Sequence, residues 1–304
     1  MKKLSVVSVG RNDDHGGRFL DRMFWSVRSL SEIARCPNTQ IEYVFVEWNP
    51  ACDVLPISSM EHLWRPLIHK SFSMRFINVP KKIHEKIQNN EKLPVFQMIA
   101  KNIGIRRASN PAILATTSDV IFSPFFKEIF ANHTCDDSKF YRCPRYDVKN
   151  IIKKEIPYDK QIQYCKDNIT RRYDHPTNRW ELFTEACGDF TLASRKGWEA
   201  TRGYLELPIF SIHIDSVWVL SAIRYGLTQS ILPRDAIIYH VEHFDSWTPS
   251  QFVALQNKVN RNKIPMLTLD QAFHLAREIK KNGLPMNDEN WGFGGEDFKE
   301  FVFK

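Results

Sequence analysis

The first half of the 304-residue chain alternates between short apolar runs and amphipathic stretches of helical length. Runs rich in β-branched and aromatic residues predict buried strands at residues 4–9, 41–50, 73–80 and 112–116. Apolar residues at helical spacing predict helices at residues 19–34 and 97–108. Because this order gives parallel strands with helices on both faces, the sequence predicts an α/β fold with a mostly parallel central sheet flanked by helices.

The second half of the chain is less regular. Residues 132–182 mix polar, basic and aromatic side chains, and we expect them to form an elaborated loop region over the sheet. Later elements are predicted as a strand and helix at 188–198, a helix at 214–226, a strand at 236–241, and helices starting at the capping boxes 248–251 and 268–271. No linker divides the chain, so we expect one domain at 1–245. A helical C-terminal extension at 246–304, with a loop at 287–298, is expected to pack on it.

Charge and motifs narrow the range of functions. The net charge of +7 suits an anionic partner, but the basic residues are scattered pairs and no nucleic-acid-binding motif is present. We therefore exclude nucleic acid and favour a phosphorylated substrate. The chain contains no G-x-S-x-G, G-x-G-x-x-G or G-x-x-x-x-G-K-[ST] motif. Their absence argues against a serine hydrolase, a Rossmann dehydrogenase and a P-loop NTPase.

Cysteine usage and apolar run lengths bear on the compartment. The six cysteines form no C-x-x-C pair, so a zinc site is not expected, and their wide spacing is typical of free thiols in a reducing compartment. The N-terminal apolar run is too short for a signal peptide, and no stretch approaches the roughly 20 apolar residues of a membrane span. We expect a cytoplasmic protein with at most peripheral membrane contact.

Polar clusters follow the predicted strands. They are Arg11-Asn12-Asp13, Glu47-Trp48-Asn49 and Thr117-Ser118-Asp119. Ligands bind beyond the carboxyl ends of parallel strands, so these clusters are expected at one cleft. Asp119 there is either a ligand for a divalent cation that holds a diphosphate or a turn residue. Lys101 and Asn102, on the preceding helix, either face phosphates or lie on a solvated face.

Two later segments carry further candidates. Asp215, at a predicted helix start, is either a general base that deprotonates an acceptor hydroxyl or a helix cap. Asp189, in CGDF at a predicted strand start, is a similar case. His240 and His243, in the HVEH run at a strand end, are either metal ligands or structural histidines.

The order of these pieces resembles the GT-A glycosyltransferases, in particular the large family-two-like group. SVVSVGRND resembles the family's nucleotide-binding strand and loop, and YVFVEWN resembles its second strand with an acidic end. AKNIGIRRA resembles the helix before the D-x-D strand, and ILATTSD resembles that strand. GDFTLASRKGWEATRGYLE and HIDSVWVLSAIRYG resemble the acceptor-side and catalytic-base segments. The resemblance covers residues 4–243.

The resemblance implies the GT-A fold and transfer of a hexose from a nucleotide-diphosphate sugar to a carbohydrate or glycoconjugate acceptor. It implies an inverting reaction with Asp215 as base, and acceptor-side residues Gly188, Asp189 and Trp218. Asp119 and His240 would hold Mn²⁺ or Mg²⁺. The donor-binding residues that it implies are Gly10, Arg11, Asn12, Asp13, Glu47, Asn49, Lys101, Asn102, Ser118 and Asp119.

The chain departs from the family at the metal motif. Thr117-Ser118-Asp119 stands where the family has D-x-D, so only the last carboxylate is present. This departure leaves a second hypothesis, a catalytically inactive GT-A-like protein that binds nucleotides or carbohydrates or acts as a scaffold. A nucleotidyltransferase is the third hypothesis, and the missing G-x-G-T-R loop after the first strand ranks it last.

Overall fold

A computed structural model describes residues 3–132, 134–149, 156–176, 182–244, 252–283 and 285–304. Strands β1 to β12 occupy Lys3–Gly10, Gln40–Trp48, Phe72–Val79, Ala112–Thr116, Val120–Phe122, Lys139–Arg142, Arg145–Val148, Ile169–Tyr173, Phe190–Ser194, Thr228–Ile231, Ile238–Val241 and Lys299–Phe303. Helices α1 to α10 occupy Phe19–Ala34, Glu61–Trp64, Lys81–His84, Gln97–Arg107, Phe126–Asn132, Tyr158–Asp167, Arg195–Thr201, Ile214–Ala222, Phe252–Arg261 and Leu269–Asn282.

The main sheet has the strand order β10-β6-β9-β4-β1-β2-β3-β12 among the described residues. Its centre, β4-β1-β2-β3, is parallel, as the strand–helix alternation predicts. The flanking strands β9 and β12 pair antiparallel with β4 and β3, so the complete sheet is mixed. The predicted α/β class with a large central sheet between helices is confirmed.

Both faces of β1 are buried, which explains its continuous apolar run. Val7 and Val9 belong to the apolar cluster on the α4 side of the sheet, whereas Leu4 and Val6 belong to the cluster on the α1 side. Since successive strand residues point to opposite faces, a strand covered on both sides must be apolar at nearly every position. This burial holds the carboxyl end of β1 in place.

A second sheet has the strand order β5-β11-β7-β8 among the described residues. The predicted loop region at 132–182 contains β6, β7, α6 and β8 among its described residues, so the loop prediction is wrong for those segments. The apolar pattern of β7 is interrupted by Arg145 and Asp147, which are buried as an ion pair. Their further partners, Asp189 and His240, are distant in sequence, so these two charged residues look like loop residues when the sequence is considered alone.

The C-terminal segment joins the main sheet as well as adding helices. Helix α10 begins at the predicted capping box of Thr268 and Gln271. The capping box predicted at 248–251, and the predicted boundary between 245 and 246, lie outside the described residues. Strand β12 extends the edge of the sheet beside β3, which the sequence analysis did not predict. The preceding turns are held by Arg106 and Arg107, which donate to backbone carbonyls of 289–296.

Two other predictions concern the chain as a whole. All six cysteines are free thiols, as predicted. Over the ranges that the structure describes, none of the helices has both the length and the apolar character that a bilayer crossing requires.

Gly104 sets the distance between α4 and the sheet, and Gly104→Ala tests this contact. An added Cβ would lie 2.4 Å from Cγ1 of Val7 and 3.0 Å from Cγ2 of Val46. We expect a loss of about 1–2 kcal/mol in the free energy of unfolding, because overpacking outweighs the gain in helix propensity. Urea denaturation measures this loss. Gly197→Ala, whose Cβ would meet its neighbours at 3.4 Å or more, is the control, and equal stability of the two variants would contradict the prediction.

Candidate functional site

A cavity of about 310 Å³ opens beyond the carboxyl ends of β1 and β4. Residues of α9 and the segment after it, including Leu255 and Ile264, form another part of its wall. Several residues predicted from sequence line the cavity. They are Gly10, Arg11, Asp13, Ser118, Asp119, Asp189 and His240. The strand-end rule therefore brings the clusters after β1 and β4 together as expected.

Asp119 lies between β4 and β5 and faces two histidines. Its Oδ2 is 3.0 Å from Nε2 of His243 and 3.8 Å from Nε2 of His240. One ligand atom from each of the three side chains lies within 4.8 Å of the others. Such a cluster offers one carboxylate and two imidazoles to a single ion.

The register of the second sheet brings these side chains together. In β11, which lies between β5 and β7, His240 pairs with Val120 on one side and with Asp147 on the other. Asp119 immediately precedes Val120, and its carbonyl accepts the amide of Val241 at 3.0 Å. His243 follows two residues after the end of β11. Pairing of β5 with β11 thus places Asp119 beside His240, and His243 follows on the same chain segment as His240.

The Asp119 carboxylate fits a cation. Burial alone would raise its pKa, but the neighbouring His240, His243 and Arg22 outweigh burial and hold the pKa well below the ordinary value. Its Oδ1 is buried without a hydrogen-bond partner. Burying a carboxylate oxygen without a hydrogen-bond donor costs free energy of folding unless an ion or a water molecule binds to it. The donor set is one that divalent transition metals accept in proteins.

The distal ring nitrogens of both histidines are also engaged. Nδ1 of His243 lies 2.6 Å from the carbonyl oxygen of Phe244, and Nδ1 of His240 lies 3.2 Å from Oδ1 of Asp147. At His240, an acceptor at Nδ1 favours the tautomer that directs the Nε2 lone pair toward Asp119, whereas His243 has an acceptor at each ring nitrogen, the carbonyl of Phe244 and Oδ2 of Asp119. Both Nε2 atoms face Asp119, so the rings are oriented as metal-binding rings are.

Cationic side chains extend the site beyond the sequence predictions. Arg22 is buried in α1, where its guanidinium donates to the backbone carbonyls of His15 and Gly17. Burial lowers its pKa although Asp119 and Asp14 act to raise it. The sequence holds a signal for Arg22, because it is a charged residue on the apolar face of an amphipathic helix, three positions after Phe19. Such residues are retained where a buried charge has a partner or a role.

A buried ion-pair network joins His240 of this cluster to Asp189, the residue before β9. Arg145 pairs with Asp147 through an Nη2–Oδ1 contact of 2.6 Å, and its Nη1 pairs with Oδ2 of Asp189. Oδ1 of Asp189 accepts the hydroxyl of Thr117 at 3.1 Å. Thr117, Arg145 and Asp189 line the cavity themselves, whereas Asp147 is not among its lining residues. Arg145 and Asp147 were not predicted as site residues, because the mixed polar, basic and aromatic residues around them indicate a loop.

Comparison with known proteins identifies the fold. The sequence matches none of the protein-family profiles and none of the curated proteins. Residues 1–349 of S. aureus TarS, a GT-A-like glycosyltransferase, superpose with a TM-score of 0.50 and 13% sequence identity, covering 91% of this chain and 70% of the TarS chain. The chain has the GT-A glycosyltransferase fold. The catalytic domain of Drosophila beta1,4-galactosyltransferase 7, solved with xylobiose, overlaps more loosely, with a TM-score of 0.41 and 9% identity over 90% of this chain and 79% of its own.

Three predicted residues form one unit next to Asp189 in this GT-A fold. The buried Lys101 donates from Nζ to the carbonyl of Gly188 at 2.6 Å, and burial lowers its pKa. Oδ2 of Asp215 accepts the amide of Gly188 at 2.6 Å, and its Oδ1 accepts the amide of Ser216 at 2.9 Å. The backbone carbonyl and the backbone amide of Gly188 are therefore both hydrogen-bonded to side chains. Asp215 contacts the residue before Asp189 and is not itself among the residues that line the described cavity.

The second strand of the GT-A core ends differently from its neighbours. Glu47 is fully buried, and its oxygens accept the amides of Ile57 at 2.5 Å and Ser58 at 3.1 Å, while burial raises its pKa. Asn49 is also buried, adopts a left-handed conformation with φ 44°, and donates its amide to the carbonyl of Val79. A donor nucleotide would have to displace the 57–58 turn to reach the carboxylate of Glu47.

The remaining predicted residues make structural contacts. Nδ2 of Asn12 donates to the carbonyl of Leu55 at 2.7 Å. Asn102 is buried and bonds through its amide side chain to both backbone groups of Tyr204. Trp218 lies in the core, where Nε1 donates to Oγ1 of Thr201 at 3.1 Å. Their roles toward a donor or acceptor stay predictions.

Proposed function

We propose that this chain is a glycosyltransferase that moves a sugar from a nucleotide-diphosphate donor to an acceptor hydroxyl. The observation that carries the proposal is the cluster of Asp119, His240 and His243 at the cavity, beyond the carboxyl ends of β1 and β4 in a GT-A fold. The acceptor would be a carbohydrate or glycoconjugate.

Asp119, His240 and His243 would hold a divalent cation. Such an ion would neutralise negative charge on a departing nucleotide diphosphate. Two imidazoles beside one carboxylate suit Mn²⁺ better than Mg²⁺, because Mg²⁺ prefers a shell of oxygen ligands. This set adds His243 to the pair inferred from sequence, Asp119 and His240.

The loop after β1 would bind the diphosphate. Arg11 and His15 line the cavity, and Arg22 holds the carbonyls of His15 and Gly17 while its charge lies near Asp119. Positive charge that is already in place at a dry site stabilises an anionic leaving group without reorganisation. The residues of this loop orient the donor.

Asp215 is our candidate for the general base of an inverting reaction. Its carboxylate is held by the amides of Gly188 and Ser216 but is not paired with Arg145, unlike that of Asp189. An acceptor hydroxyl that approaches Asp215 would therefore not have to displace a guanidinium. The acceptor hydroxyl would approach from the side of Gly188.

A donor-hydrolysis screen tests the proposal. The full chain is incubated with UDP-, GDP- and CMP-sugars, each with Mn²⁺, with Mg²⁺ and with chelator, and released nucleotide is measured. We expect release from one nucleotide class, faster with Mn²⁺ than with Mg²⁺ and lost with chelator. Equal rates with Mg²⁺ and Mn²⁺ would contradict the ligand set, and no turnover of any donor would contradict the enzymatic function.

A catalytically inactive GT-A-like binding protein is the second candidate. The observation that favours it is Thr117, a neutral hydroxyl where the family has its first metal-motif carboxylate, and this hydroxyl is committed to Asp189. Calorimetric titration with nucleotide sugars separates the two candidates. Binding without turnover supports the inactive protein, whereas absence of binding excludes both.

A further inference from the structure

Asp147 faces the distal nitrogen of the candidate metal ligand His240. Its Oδ1 lies 3.2 Å from Nδ1 of the imidazole, and the two residues are register partners in the parallel strands β7 and β11. Asp147 is fully buried, so water cannot substitute for this contact. The imidazole of His240 on β11 therefore lies between the carboxylate of Asp147 on β7 and the cavity.

Arg145 holds this carboxylate in position. Its Nε and Nη2 donate to Oδ1 of Asp147 at 2.8 and 2.6 Å. The other end of the Arg145 guanidinium is paired with Asp189. The carboxylate therefore cannot rotate away without breaking a buried ion pair.

Nδ1 of His240 faces both Oδ1 of Asp147 at 3.2 Å and Nη2 of Arg145 at 3.0 Å. A protonated Nδ1 can donate only to the carboxylate, because a guanidinium nitrogen accepts no hydrogen bond. Nε2 is 3.8 Å from Oδ2 of Asp119, which is too long for a hydrogen bond. A proton on Nε2 would have no acceptor there, whereas a proton on Nδ1 has Asp147. With its proton on Nδ1, the imidazole donates to Asp147 and the Nε2 lone pair faces the cluster, which is the tautomer that ligation of a metal by Nε2 requires.

We propose that Asp147 is a positioning residue for metal binding, acting through Nδ1 of His240, an inference that rests on the metal site of the proposed function. Asp147 fixes the tautomer and ring orientation of His240 and increases the basicity of Nε2, as carboxylate partners of ligating histidines do. Arg145 extends this support to Asp189 at the cavity wall, so that metal affinity depends on a residue that does not reach the ion.

Mn²⁺ affinity of the full chain, measured by calorimetry and by Mn²⁺ electron paramagnetic resonance, tests the inference. We expect Asp147→Asn to weaken Mn²⁺ binding by about 10- to 100-fold. Glu42→Gln, which alters an Arg-paired carboxylate away from the cavity, is the matched control and should leave the affinity unchanged. Equal Mn²⁺ affinity of wild type and Asp147→Asn overturns the inference.

A double-mutant cycle separates positioning from a general structural effect. If Asp147 acts through His240, Asp147→Asn should lower affinity further in a His243→Ala background but not in a His240→Ala background. An equal further loss in both backgrounds overturns the inference. If the wild-type chain binds no Mn²⁺, both the metal site of the proposed function and this inference are overturned. If the wild type binds Mn²⁺ but Asp147→Asn binds it equally well, only this inference is overturned.

A measurement on the unmutated chain covers the case in which Asp147→Asn does not fold. Nitrogen-15 NMR of histidine-labelled protein without metal reports which ring nitrogen of His240 carries the proton, with His240→Gln used to assign the signal. We expect protonation at Nδ1. A proton on Nε2 overturns the inference.

Discussion

We expect Asp119→Asn to lower kcat/KM for sugar transfer by about 10³-fold, which corresponds to about 4 kcal/mol of transition-state stabilisation. Asp119 supplies the sole carboxylate of the cluster with His240 and His243. The amide has the same size but lacks the charge that offsets a divalent cation. Because Oδ1 has no hydrogen-bond partner in the structure, the substitution should affect Mn²⁺ and diphosphate binding more than folding.

Initial rates at varied donor concentration, with Mn²⁺ titrated, measure this effect. Thermal unfolding of the same sample without metal shows whether the fold is retained. Asp137→Asn is a suitable control, because Asp137 is an exposed residue paired with Lys196 and has no contact with the cavity. Activity of Asp119→Asn close to that of the control would remove Asp119 from the reaction.

Asp215→Asn should lower kcat by about 10²- to 10⁴-fold while leaving donor affinity nearly intact, as expected for loss of a general base. The amide oxygen of asparagine can still accept the Gly188 amide, so the turn before Asp189 should persist. Single-turnover transfer measures the chemical step, and calorimetry with donor and Mn²⁺ measures binding. Loss of a general base slows single-turnover transfer and leaves donor binding unchanged.

Comparison with Asp189→Asn shows which of the two aspartates, Asp189 or Asp215, acts as the base. Asp189 lines the cavity but is paired with Arg145 and hydrogen-bonded to Thr117. Loss of turnover in Asp189→Asn together with normal turnover in Asp215→Asn would transfer the role of base to Asp189. Reduced donor affinity in Asp215→Asn would instead indicate that Asp215 supports the binding site through Gly188.

Local sequence patterns were sufficient where an element is recognisable within its own residues. The runs of β1 and β4 are apolar because both faces are covered, and the helix before β4 has the expected length. Parallel order then places Arg11 and Asp119 at one cavity. The resemblance to GT-A glycosyltransferases contributed His240, which pattern alone left open between ligand and structural residue.

The same strand-end rule was less informative at Glu47. Sequence places its carboxylate at the edge where ligands bind, but the turn of Ile57 and Ser58 folds over the strand end and donates two amides to it. Sequence cannot show which backbone amides will donate hydrogen bonds to a carboxylate, because that depends on the path of a loop. Tail residues 299–303 are a similar case, since their pairing with β3 is set by the edge that remains open.

The sequence by itself determined the α/β class, the parallel centre of the sheet and the position of Asp119 at its carboxyl edge. These follow from periodicity and from the geometry shared by all parallel sheets. Only the tertiary structure decided that His243 joins Asp119 and His240, and that Arg145 and Asp147 support them. The physical reason is that buried charges are stable only with partners. Those partners are brought together by strand pairing between segments far apart in the chain.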